Sequence, residues 1–478
     1  MGPSAIPMSV RWTVTVAALC LLVGCAPAKV DGRPTSMLFN PGRVGGLPVA
    51  EGPSGQKPSS PPPVGTVENT DRGAADELAL SALNDIEEFW QAHYAKYLPG
   101  DFEPVDNLVS YDSEDPTSPT VCLSETYGLV NAMYCVPRRL IAWDRGVLVP
   151  VAIEYFGEMG VVGVLAHEYG HALQYMSGLA DLGTDVLVKE QQADCLAGVY
   201  MHWVAAGNSP RFALSTGDGL NRVLAGLIYL RDPVSADSGG DAHGSALDRI
   251  SAFQLGFTGG ADQCAAIDLA EIERRRGDLP QELTYDSYGE PVLDSPIDED
   301  TLSQLMAVLE DIYQPAEAPT LSTEQVDCPG ASPAAPTSYC AATNVIQADL
   351  PKLSALGEPK SEEQDEVLIQ GDNTALSMVT SRYALAVQHE RGVNLDTPVA
   401  ALRTACLTGV AQGQMTSESG FDFVLSPGDA DEAVSGLLTH PLVASDVHGR
   451  PAPAGFTRIL AYRLGLSSDI DECFQRFS

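Results

Sequence analysis

The stretch "VLAHEYGHALQ", residues 164–174, sets two histidines four apart with a glutamate beside the first. At about 100° per residue this spacing puts His167 and His171 one turn apart on one helical face, with Glu168 next to them. Val162, Leu165, Tyr169, Leu173 and Met176 form an apolar stripe at helical period along the same segment. Such a helix is buried, and burying imidazoles and a carboxylate without partners is unfavourable. A shared zinc ion removes that penalty, so His167 and His171 read as metal ligands. Catalytic zinc takes three protein ligands and keeps one position open. Past His171, "EQQADCLAGVY" (190–200) opens with Glu190, the candidate third ligand. Asp194 falls one turn further on, where it can accept the free ring N–H of His167 and fix its tautomer.

A later stretch, "VQHERGVNLDTPVAALRTACLTGV" (387–410), has the cadence of the first without its chemistry. The two halves of the chain match in order along their length. "LSALNDIEEFW" (80–90) runs with "LSQLMAVLEDIY" (302–313), and "MYCVPRRLIAWD" (133–144) with "SYCAATNVIQAD" (338–349). "DVLVKEQQADCLAGV" (185–199) runs with "DTPVAALRTACLTGV" (396–410), and "RISAFQLGF" (249–257) with "RILAYRLGL" (458–466). The pattern is that of an internal repeat. With Gln174 set against Gln388, His167, Glu168 and His171 fall on Ser381, Arg382 and Leu385. Glu190 and Asp194 fall on Ala401 and Ala405, so the second half is a copy without metal residues. "DAHGS" (241–245) finds a counterpart in "DVHGR" (446–450). Because this histidine and Arg458 outlast the metal residues in the copy, folding roles compete with catalysis for His243 and Arg249. Asp241 would cap the following helix, and Arg249 would pair with a carboxylate inside the domain.

Eight cysteines follow Cys25 and recur at matching places, four in each half. A repeated domain repeats its own crosslinks, and the short loops favour Cys122–Cys135 and Cys328–Cys340. Cys195–Cys264 and Cys406–Cys473 remain. Reduced thiols are the alternative, but an exported chain favours disulfides.

Acidic residues outnumber basic ones by 64 to 27, a formal charge of −37, which repels nucleic acid and anionic lipid headgroups. Arg11 and the run "WTVTVAALCLLVG" (12–24) read as a signal segment, too short for a spanning helix of roughly 20 residues. Leu22-Val23-Gly24-Cys25 is similar to a bacterial lipobox, which would lipidate Cys25 and hold the protein at a membrane surface. An ordinary signal peptide is the alternative. Residues 25–75, rich in Pro, Gly and Ser, are expected to form a disordered tether that could include a pro-segment. The expected domains are a signal peptide over 1–24, that tether, a metal domain over 76–290 and the metal-free repeat over 300–478.

"AHEYGHALQ", "EQQADCLAGVY" and the later "HGS…R…AF…GF" together resemble the predicted neutral zinc metallopeptidases of bacteria, in particular actinobacterial lipoprotein peptidases, over about residues 120–265. The resemblance implies a gluzincin-type centre with His167, His171 and Glu190 on zinc and Glu168 as catalytic carboxylate. It also offers His243 as a donor to a developing oxyanion. The expected fold is α+β: a mainly helical zincin-like domain followed by a degenerate copy of itself. Helices are expected over 78–97, 160–177, 188–205, 219–231 and 245–255, with "RRLIAWDRGVLVPV" (138–151) as the strand region. The expected activity is hydrolysis of peptide or protein substrates outside the cytoplasmic membrane by a zinc-activated water, with Glu168 as general base. The alternative is an envelope lipoprotein using zinc for structure or partner binding. Tyr155, Tyr169 and His202 read as packing residues.

Overall fold

Hydrogen bonds, with a few apolar side chains such as Val44, organise the first part of the described chain. The computed structural model describes Gly2 and residues 39–478, apart from 235–242, 282, 286–290, 293, 326, 329–334 and 418. Cys25 and Asp241 therefore lie outside the described residues. From residue 39 onward the expected tether is instead part of the fold. Strands β1 (Arg43–Val44) and β2 (Leu47–Pro48) form a hairpin with Val44 fully buried, and β3 (Gly55–Gln56) pairs with Phe212–Ala213. Gln56 N–H donates to Glu158 at 2.6 Å, Ala50 N–H to Thr216 Oγ1 at 2.8 Å, and Ser54 Oγ accepts from Ser215 N–H at 2.9 Å. Low apolar content suggested disorder, but this segment is held by long-range hydrogen bonds that composition does not reveal.

Helix α1 (Ala74–Tyr97) buries Leu83, Ile86, Phe89 and Trp90, each worth about 1.5–3 kcal/mol of transfer free energy. Strands β4 (Asn107–Tyr111), β5 (Ala132–Cys135) and β6 (Leu140–Asp144) make a sheet in the order β4-β6-β5, with β4 parallel and β5 antiparallel to β6. The expected strand region over 138–151 is only half strand. Its second part opens α2 (Leu148–Phe156) because Asp144 accepts the N–H groups of Val147 and Leu148 at 3.1 and 3.0 Å, capping a helix there.

The metal-motif stretch lies in α3 (Glu158–Ser177), packed on α4 (Val186–Ala205). A Cβ at Gly170 would stand 2.9 Å from the Ala193 Cα, so glycine is what lets the two helices approach beside the histidines. Strand β7 (Phe212–Ala213) and helices α5 (Asp218–Tyr229), α6 (Ala246–Gly259), α7 (Ala261–Ala265) and α8 (Leu269–Arg276) complete the first half. A capping box of Ser245 and Asp248 starts α6. The five expected helices are present as α1, α3, α4, α5 and α6, with small shifts at their ends.

A short ribbon follows, β8 (Thr284–Tyr285) paired with β9 (Pro291–Val292). Helix α9 (Glu299–Tyr313) precedes β10 (Thr320–Ser322), β11 (Thr337–Cys340) and β12 (Val345–Ala348), in the order β10-β12-β11 with the same parallel and antiparallel pairing. Helices α10 (Leu350–Leu356), α11 (Glu362–Asp365), α12 (Asp372–Glu390), α13 (Pro398–Gln414), α14 (Asp429–Thr439), α15 (Gly455–Leu466) and α16 (Ile470–Arg476) follow. The disulfides are Cys122–Cys135, Cys195–Cys264, Cys328–Cys340 and Cys406–Cys473, the pairing expected from the sequence. Gly198 and Gly256 bring α4 against α6, and Gly409 and Gly465 bring α13 against α15. In all four places a Cβ would run into the partner helix's backbone carbonyl.

Buried apolar side chains of both halves form one continuous core in a mixed, mainly helical α+β fold. Across the junction Phe257 packs on Phe456, and Gln254 donates to the Phe456 carbonyl at 2.8 Å. Among the described residues no helix is long and apolar enough to cross a membrane.

Candidate metal centre

Helices α3 and α4 bring His167, His171 and Glu190 together, with one potential ligand atom from each inside a 4.8 Å group. The Nε2 atoms of His167 and His171 lie 3.1 and 3.4 Å from the two oxygens of Glu190. Both Nδ1 atoms are engaged on the far side. That of His167 is 2.7 Å from Asp194 Oδ1, and that of His171 is 3.0 Å from Gln174 Oε1. With Nδ1–H as the donor in each ring, both Nε2 lone pairs face the shared space.

Asp194 is fully buried and also accepts from Arg249, whose Nε and Nη2 sit 2.9 Å away. Arg249 has a second duty, donating Nη1 to the Leu230 carbonyl at 2.6 Å, near the end of α5. Gln174 spans the two helices: its Nε2 donates to the Lys189 carbonyl at 2.6 Å and to Gln192 Oε1 at 3.1 Å. Glu168, beside His167, accepts the Tyr134 N–H of β5 at 2.8 Å through Oε2. Strand β5 is the edge of its sheet, so Glu168 stands at that free edge.

The charges in this cluster are strongly coupled. Burial opposes charge on His167, but the Asp194 and Glu190 carboxylates outweigh it and push its pKa up to about 10. Burial would raise Glu190, yet its bonds to His167 and His171 hold it far below the usual carboxylate range. Burial dominates at Glu168 and raises its pKa, with the histidine charges acting the other way.

His243 is half exposed at the rim, with Nε2 3.7 Å from Glu190 Oε2 and Nδ1 3.2 Å from Asp232 Oδ1. The Asp232 hydrogen bond raises its pKa. An open cavity of about 180 Å³ runs inward from His167, Glu168 and His243 between α2, α3 and α5, lined by Leu148, Val151, Phe156, Val164, Leu227 and others. Of the packing residues, Tyr169 donates to Glu87 at 3.1 Å and His202 reaches the Gly45 carbonyl at 3.2 Å. Tyr155, expected in the core, is exposed instead, on the outer face of α2.

The sequence reading missed Gln174, Gln192, Asp232 and the Tyr134 N–H. Gln174 had a signal, since it recurs as Gln388. The Tyr134 N–H had none, because a backbone donor leaves no trace in side-chain identity.

In the second half none of the matching positions groups as ligands. Arg382 is buried and donates to the Leu442 carbonyl at 2.7 Å and to Ser445 Oγ at 2.9 Å. Gln388 accepts from Arg403 at 2.9 Å, as Gln192 and Gln174 meet in the first half, and Arg458 donates to the Leu437 carbonyl at 2.7 Å as Arg249 does to that of Leu230. No protein-family model, curated protein or solved structure matches the chain.

Proposed function

We propose that the protein is a zinc-dependent metallopeptidase, acting outside the cytoplasmic membrane and tethered through lipidated Cys25. The observation that carries this reading is the convergence of two Nε2 atoms and a carboxylate on one space, with each Nδ1 already tied back by a buried acceptor. Two imidazoles and one carboxylate suit zinc and match the donor set of catalytic sites. His167, His171 and Glu190 would hold the ion, which supplies Lewis acidity toward a scissile carbonyl and lowers the pKa of water.

Glu168 is the general base. The Tyr134 N–H fixes one of its oxygens and leaves the other to take a proton and return it to the leaving amine. Burial raises its pKa, which makes it a stronger base than a solvated glutamate. His243, aligned by Asp232, donates toward charge developing on the substrate. An extended peptide lies along the free edge of β5, and the apolar cavity takes one of its side chains.

The first half is then a zincin-like domain and the second a degenerate, metal-free repeat of it. The same sheet order, disulfide positions and glycine contacts in both halves support this. Four disulfides support an oxidising compartment. The test is zinc content together with cleavage of a broad peptide library by wild type and Glu168→Gln. Expected are one zinc per chain in both and a loss of cleavage of about 10²–10⁴-fold in the variant. Bound zinc without cleavage by wild type would turn the reading to a structural or partner-binding zinc site.

A further inference from the structure

The second half holds a group of carboxylates that the peptidase reading does not use. The first turns of α12 and α14 meet: Asn373 N–H donates to Glu432 Oε2 at 2.9 Å, and Asn373 Nδ2 to the Asp429 carbonyl at 2.6 Å. Asp372, Asp429 and Glu432 are 2, 3 and 6 % exposed. Exposed Asp294 reaches the same place, and oxygens of Asp294, Asp372 and Glu432 lie within 4.8 Å of one another. No cationic side chain is among the main charges acting on the three buried acids; Asp294 raises the pKa of all three, Asp372 that of Asp429 and Glu432, and Asp429 that of Glu432.

Backbone donors account for only part of this group. Ser295 N–H donates to Asp372 Oδ2 at 2.5 Å and Asp372 N–H to Asp294 Oδ1 at 3.3 Å. Asp372 Oδ1 is buried with no hydrogen-bond partner among the described residues. The Glu432 and Asp294 carboxylates close over Gly371, where any side chain would collide with both. At the matching junction of the first half, Glu158 opens α3 and accepts the Gln56 N–H as Asp372 accepts that of Ser295. There Arg222 lines the same hollow as Glu158 and pairs with Asp218 at 3.1 Å. One junction carries a cation; at the other, among the described residues, the charged side chains identified are acids.

Helix N-termini contribute about half a positive charge each, too little to balance three buried carboxylates and to satisfy a free buried oxygen. An all-oxygen set selects a hard cation, and its mixture of buried and exposed carboxylates suits the flexible, partly hydrated coordination of calcium. We propose that Asp294, Asp372 and Glu432 form a calcium site that ties the first turns of α12 and α14 to the segment preceding α9.

The test titrates calcium chloride into the full, zinc-loaded chain and follows binding by calorimetry and Tm by thermal unfolding. Wild type is compared with Asp294→Asn and Asp372→Asn. Expected are saturable calcium binding and a raised Tm in wild type, at least about tenfold weaker binding in Asp294→Asn, and none in Asp372→Asn, with zinc content unchanged. Asp294 is exposed, so its variant keeps the fold and decides the question even if Asp372→Asn does not. Absence of calcium binding in wild type, or equal binding by Asp294→Asn, would overturn the proposal. So would an Asp372→Asn protein that is more stable than wild type while calcium leaves both unchanged, since protons would then balance the charge.

Discussion

Asp194 is the residue on which most of the candidate metal centre leans, because it orients His167 and neutralises Arg249 at once. Asp194→Asn keeps the shape and removes the charge. It should weaken zinc binding about 10–100-fold in chelator competition, and it should lower stability by about 3–5 kcal/mol in denaturant unfolding because the Arg249 guanidinium loses its buried counter-charge. His243 differs in kind: half exposed, it can be cut to alanine without disturbing the core. His243→Ala should retain zinc and Tm while kcat falls about tenfold or more. Unchanged turnover would leave His243 with a role at the rim that is not catalytic. At this scale the sequence was legible where chemistry is written in side chains at helical spacing, as with His167, His171, Glu190 and Asp194. It was mute where a contact depends on the backbone or on a distant loop, as with the Tyr134 N–H and Asp232.

Between elements, the close approach of α4 to α6 and of α13 to α15 is set by facing glycines, and a disulfide in each half ties α4 to α7 and α13 to α16. Gly198→Ala and Gly409→Ala should each cost about 1–3 kcal/mol, read as a drop in Tm, since the added carbon meets backbone and not a movable side chain. Replacing Cys195 and Cys264 together by alanine should cost about 4 kcal/mol by the loop-entropy account, since the bridge spans 69 residues. The helices themselves were readable from apolar periodicity, and the crosslinks from recurrence of cysteines in both halves. The start of α2 was not, because "VLVPV" has strand composition and becomes helix only once Asp144 caps it. Nor was the ordering of residues 39–72, whose polar groups find partners more than a hundred residues away.

At the scale of the whole molecule, the second half reaches into the first. Asp431 of α14 accepts the Leu247 N–H at the start of α6 at 3.0 Å, and Glu362 of α11 grips Arg231 through two hydrogen bonds of 2.8 and 3.0 Å. Burial pushes the Asp431 pKa up to about 6. An acid whose pKa is raised by folding stabilises the fold below its unfolded value of about 4 and loses that contribution as pH rises through about 6. Asp431→Asn keeps the acceptor oxygen and removes the titration, so its Tm should gain on that of wild type between pH 4 and pH 7. A constant difference across that range would remove Asp431 from the account.

The grip of Glu362 on Arg231, just past α5, and of Asp431 on the start of α6 also bears on safety. On the proposed peptidase reading, His167, His171 and Glu190 emerge from the ribosome long before residue 429 is reached. Here the rim that carries His243 lacks its outside supports until the last quarter of the chain has emerged and docked. On that reading, polypeptides that stop short of residue 429 would hold His243 less firmly, and their turnover would fall toward that of His243→Ala.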